Sequence, residues 1–84
     1  MKIIKETQYL VFEEQPTKTK TKVVHVINRH HDEVIGVIKW YGSWRQYCFF
    51  PACDTIWNIA CLTDVNDVIT GLMKARRMEK TQTE

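Results

Sequence analysis

Near Leu62 the spacing of apolar residues changes from that of strands to that of a helix, and this switch leaves few architectures open to the chain. Upstream, β-branched and aromatic residues come in short runs parted by turn residues. Lys22–Asn28 (K-V-V-H-V-I-N) and Val34–Tyr41 (V-I-G-V-I-K-W-Y) read as strands, with Arg29-His30-His31-Asp32-Glu33 as the hairpin loop between them. Ile3–Phe12 reads as one strand, followed by a loop in E-E-Q-P-T-K-T-K-T-K whose last threonines can begin a solvent-facing edge strand. Trp44–Phe50 is the next strand, stopped by Pro51, and Thr55–Ile59 is a fifth candidate. Downstream, Val65, Val68, Ile69, Leu72 and Met73 recur at intervals of three and four. The spacing predicts a helix over Thr63–Arg77, with Thr63 as N-cap, Asp64 and Asp67 in the first turn, and Lys74, Arg76, Arg77 and Lys80 toward the other end. Gly71 costs such a helix ~1 kcal/mol against alanine, so a close contact with the sheet is expected there. The fold class is α+β: a four- to five-stranded antiparallel meander with one C-terminal helix packed on one face. Residues 1–78 form the single domain, and 79–84 form a polar tail expected to fray.

Gly42-Ser43 matches a two-residue type II′ turn, which sets Tyr41 opposite Trp44, Trp40 opposite Arg45 and Ile38 opposite Tyr47. Side chains then sort onto two faces, one with Val37, Lys39, Tyr41, Trp44, Cys48 and Phe50, the other with Ile38, Trp40, Arg45, Tyr47 and Phe49. Neither is a polar outer face. One helix covers one side of a sheet, so the other side needs a second layer, a ligand or another copy, and a two-fold homo-oligomer is the simplest answer.

Eighty-four residues support one modest core, and 44% hydrophobic with 26% charged residues is a globular composition. The net charge is +2, with the first half of the chain carrying all of it, so global charge points to no polyanion. Cys48, Cys53 and Cys61 form no C-x-x-C pair, and with no signal peptide in view reduced thiols in a cytoplasm are expected. Lys39 interrupts the longest apolar run, so no membrane span is expected.

The densest constellation is Lys39-Trp40-Tyr41-Gly42-Ser43-Trp44-Arg45-Gln46-Tyr47. Aromatics with cations stack on bases and meet phosphates, or anchor a protein interface. The plainer reading buries Trp40 and Tyr47 in the core, with Arg45 laid over an indole ring. Tyr41 and Trp44 flank the tight turn and cannot both lie deep in the core, so Lys39, Tyr41, Trp44 and Arg45 are the candidate contact patch. His25, His30, His31 and Asp32 are close in sequence, yet adjacent loop histidines point apart and no paired cysteines assist, so no metal site is expected. No glycine-rich phosphate loop, G-x-S-x-G or H-E-x-x-H occurs. Asp54, Asp64 and Asp67 suit turns and a helix start better than acid–base work, so neither enzyme activity nor a cofactor is expected.

The string W-Y-x-x-W-R-x-Y-x-F-x-P, present as Trp40, Tyr41, Trp44, Arg45, Tyr47, Phe49 and Pro51, resembles a family of small bacteriophage and prophage proteins. Ile35–Lys39 before it and Cys61–Val65 after it look like the same pattern, so the resemblance spans roughly Val34 to Leu72 and leaves out the N-terminal third. It implies a viral accessory protein in the host cytoplasm and transfers no chemistry. Binding and modulating a host or defence-system protein through the aromatic and basic hairpin is the expected role. The alternative is a module that sequesters a nucleotide or single-stranded nucleic acid.

Overall fold

A computed structural model describes the backbone of residues 2–83 and the side chains of residues 2–77. Five strands, β1 (Lys2–Glu6), β2 (Leu10–Gln15), β3 (Val23–Asn28), β4 (Glu33–Tyr41) and β5 (Gln46–Pro51), precede one helix, α1 (Ile59–Thr83). The strands pair antiparallel in chain order, β1-β2-β3-β4-β5, as the α+β meander expected from the sequence.

The expected single strand Ile3–Phe12 is two strands. Thr7 breaks it: the Leu10 N–H donates to Thr7 Oγ1 at 3.1 Å while the Thr7 N–H donates to the Leu10 carbonyl at 2.8 Å, closing a tight turn. Side-chain capture of the backbone outweighs the apolar run there. The strand expected over Thr55–Ile59 is absent: residues 52–58 connect β5 to α1, Ile59 already belongs to the helix, and the fifth strand of the sheet is β1 at the opposite edge. Nor do the late threonines begin an edge strand. β3 starts at Val23 and lies in the middle of the sheet, while the Thr17 and Thr19 hydroxyls donate to the carbonyls of Thr19 and Thr21 inside the loop.

Alternate residues of the strands build the core: Leu10, Phe12, Val24, Val26, Ile38 and Tyr47 are buried beneath Val65, Val68 and Leu72 of α1. The three/four spacing aims this helix face at the sheet as expected, with Ile69 and Met73 packed beside it. The helix begins earlier than Thr63. Asn58 is its N-cap, its Oδ1 accepting the Cys61 N–H at 2.9 Å, while Thr63 Oγ1 donates back to the Ile59 carbonyl at 2.8 Å. The first turn consequently holds no acidic residue, and Asp67 instead pairs with Lys5 of β1 at 3.5 Å. Helical backbone continues past Arg77 to Thr83; of the polar tail expected at 79–84, Glu84 and the side chains lie outside the described residues.

The two inner glycines differ in their surroundings. A methyl group at Gly36 would stand on the ring of Phe49, which explains why β4 carries no side chain there. At Gly71 a methyl group meets nothing within 4 Å, so the expected close contact with the sheet does not exist. Gly71 instead lines an open cleft with Ile4, Lys5 and Asp67 at the β1 side of the helix. α1 crosses the sheet nearer to β5 than to β1, and the cleft is what this off-centre crossing leaves.

Candidate functional site

The β4–β5 connection is longer than the sequence suggests. Tyr41 pairs with Gln46 rather than with Trp44, leaving Gly42 to Arg45 as the loop. Trp44 and Arg45 N–H groups donate to the Tyr41 and Gly42 carbonyls, both at 3.2 Å, and the left-handed position falls on Arg45 (φ 51°) rather than on Gly42. A type II′ turn would need glycine in that region at its first position, and Gly42 does not adopt it.

Every expected pair on these strands is therefore displaced by two residues. Trp40 faces Tyr47, Lys39 faces Cys48, Ile38 faces Phe49 and Val37 faces Phe50. Because side chains alternate with period two, a two-residue shift keeps each strand residue on its expected face. Trp44 and Arg45, however, leave the ladder for the hairpin tip.

Trp40 and Tyr47 fill the helix side, ring centroids 5.4 Å apart and edge to face, and Tyr47 is buried. The arginine expected over an indole is present with a different number: Arg76 of α1, not Arg45, sits 4.1 Å from the Trp40 ring. The Tyr47 hydroxyl accepts the Lys22 N–H at 3.0 Å, and the Tyr47 N–H points to Met73 Sδ at 3.3 Å. These contacts tie the β2–β3 loop, the hairpin and the C-terminal half of α1 to one end of the molecule.

On the side that α1 leaves uncovered, Trp44, Tyr41 and Phe50 stand in a row. Centroids are 5.1 Å apart for Tyr41–Trp44 and 6.1 Å for Tyr41–Phe50, both edge to face, and Lys39 Nζ lies 4.8 Å above Phe50. Three of the four expected patch residues, Lys39, Tyr41 and Trp44, are thus brought together, and both aromatics of the turn are exposed, Trp44 by 67%. The fourth, Arg45, is exposed on the adjoining tip; among the described residues its guanidinium has no ion-pair or hydrogen-bond partner. Phe50 is the residue that sequence reasoning left out of the patch. Its parity with Lys39 and Tyr41 was the available signal.

The uncovered face continues across the sheet through Ile3, Glu13, His25 and Val37, which pair in register up to Phe50. His25 is half-buried within this row, whereas His30 and His31 are exposed on the β3–β4 turn, His30 at 6.1 Å from the Tyr9 ring. Among the described residues no three His, Cys, Asp or Glu side chains gather as metal ligands. Cys48, Cys53 and Cys61 are free, and only Cys53 is exposed. Among the described residues no helix is long and apolar enough to cross a membrane.

Comparison with known proteins gives a relationship over most of the chain. The "Uncharacterized 9.3 kDa protein" of Acholeplasma phage L2 is 33% identical over 76 residues, covering 88% of this chain and 96% of that protein. The chain belongs to this phage protein's family. Kinship with the phage protein reaches beyond the Val34–Leu72 segment on which the sequence resemblance stood. No family model matches the chain, and no solved structure does.

Proposed function

We propose that this phage-family protein is a non-catalytic binding protein that docks on a host or defence-system protein through Lys39, Tyr41, Trp44 and Arg45, with Phe50 as the base of the patch. The observation that carries this reading is the exposed Trp44–Tyr41–Phe50 row on the face without a helix. Aromatics and arginine dominate binding hot spots because they bring large rigid area and directed polar contacts. The test is co-purification from the phage's host with the native chain and with a Trp44→Ala, Arg45→Ala variant, read by mass spectrometry. A protein partner that the native chain retains and the folded variant loses supports docking at this patch; retention of every partner by the folded variant refutes it.

Self-association is the second part of the proposal. Val11, Val23, Ile27 and Val37 lie on the uncovered face, only half-shielded by their neighbours. Glu13 and Lys39 sit on β2 and β4, on opposite sides of the central β3. A second copy turned about an axis along β3 sets the strand bearing Lys39 over the strand bearing Glu13, so the face is complementary to itself in charge as well as apolarity. Such a dimer covers the middle of the sheet and leaves Trp44 outside it.

A further inference from the structure

Read along the chain, the cations are unremarkable in number; read in space, they are segregated. The β2–β3 loop brings Lys18 and Lys20, the hairpin brings Lys39 and Arg45, and α1 brings Lys74 and Arg76 to the same end of the sheet. Among the described residues the carboxylates facing them are those of Glu13 and Glu14, and Glu14 is already ion-paired with Lys22 at 3.7 Å. At the opposite end, the β1–β2 and β3–β4 turns, the 52–58 connection and the start of α1 carry Glu6, Asp32, Glu33, Asp54 and Asp64. The cations on that side are spent internally, Lys5 on Asp67 at 3.5 Å and Arg29 on Glu6 at 3.7 Å. A chain of net charge +2 therefore presents one strongly basic end, and Trp44, 67% exposed, stands on it.

We infer that this end binds single-stranded nucleic acid: the loop lysines Lys18 and Lys20 with Arg45 hold successive phosphates while one base stacks on Trp44. The juxtaposition of an exposed indole with Lys18, Lys20 and Arg45, which have no ion-pair partner among the described residues, is what a strand requires. Cations alone would suit any polyanion, and an indole alone would suit any apolar partner. The Thr17 and Thr19 hydroxyls, bonded to carbonyls within their own loop at 3.1–3.3 Å, hold that loop in shape, and Lys18 and Lys20 stay exposed. Stacking needs an unpaired base, so the site prefers a single strand to a duplex. The inference shares Trp44 and Arg45 with the host-protein reading but does not rest on it: Lys18 and Lys20 belong to the strand alone, and the test uses only the purified chain.

Fluorescence anisotropy of a labelled oligo-dT of about 20 nucleotides, a length spanning one small binding site, reads the affinity from low to moderate salt. Binding should weaken with salt at a slope of about 0.7 per phosphate held, and the Lys18→Gln, Lys20→Gln double variant should weaken binding severalfold while lowering that slope by about 1.4. Trp44→Ala should weaken binding roughly 5- to 150-fold with the salt slope unchanged. Arg45→Gly serves as a second cation variant that relieves a left-handed non-glycine residue, so it tests the site without loss of folding. Absence of binding at low salt overturns the inference. So does equal binding to a duplex of the same length with no effect of Trp44→Ala, which would leave a bare polyanion surface. Equally tight binding of polyglutamate overturns it in favour of an acidic protein surface.

Discussion

Gly36 and Gly71 show how the same residue type takes opposite roles according to what lies beyond its Cα. At Gly36 the Phe49 ring occupies the space a methyl group would need, and that ring is itself held edge to face against Trp57, centroids 4.7 Å apart. Neither ring has room to retreat without disturbing the other. Gly36→Ala should destabilise the fold by about 1–3 kcal/mol, the usual cost of overpacking. At Gly71 the added methyl group meets open space on an exposed helix position, so only backbone entropy and propensity matter. Gly71→Ala should stabilise by about 1 kcal/mol. Urea unfolding of the two variants checks both signs in one experiment; an unaffected Gly36→Ala would mean that Phe49 and Trp57 can shift together.

At the scale of elements, the structure moves boundaries more than it changes types. α1 starts at Ile59 because Asn58, not Thr63, supplies the oxygen that caps it. Asn58→Ala should therefore cost about 0.5–2 kcal/mol, whereas Thr63→Ala, which removes only a back-bond to the Ile59 carbonyl, should change stability little. Thermal unfolding of the pair decides which residue is the cap, and equal losses would refute the assignment. The hairpin shows the complementary lesson. Lengthening the loop from two residues to four shifts the register by two and rearranges every cross-strand partner, yet leaves Lys39, Tyr41 and Phe50 on one face and Trp40 and Tyr47 on the other. That common face survives a wrong register because only an odd shift would have inverted it.

The whole molecule is two layers, a sheet with a helix on one side, and the other side is bare among the described residues. With Val11, Val23, Ile27 and Val37 on that bare side, self-association is expected. Light scattering at micromolar concentration should give about twice the 10.0 kDa chain mass. Val37→Lys, at the middle of the face and away from the helix side, should return the monomer without unfolding it. A monomer from the native chain would mean that a different partner covers the face. Ile56 and Ile59, exposed by 96% and 84% where the connection enters α1, mark a separate apolar spot at the acidic end.

The α+β class, the meander order, the helix face of Val65, Val68 and Leu72, and the common face of Lys39 and Tyr41 were all legible in the residues, because hydrophobic period and side-chain parity are local properties of the chain. The break at Thr7, the cap at Asn58 and the length of the β4–β5 loop were not, since each depends on a single side chain or backbone angle competing with a pattern that also fits its rival. Membership in the phage protein's family came from comparison of whole chains rather than from the W-Y-x-x-W-R string. Charge segregation is the feature that tertiary structure alone decides. Lys18, Arg45 and Arg76 lie far apart along the chain and at one end of the molecule, and only the alternating direction of an antiparallel meander, with a helix running back along it, collects them there.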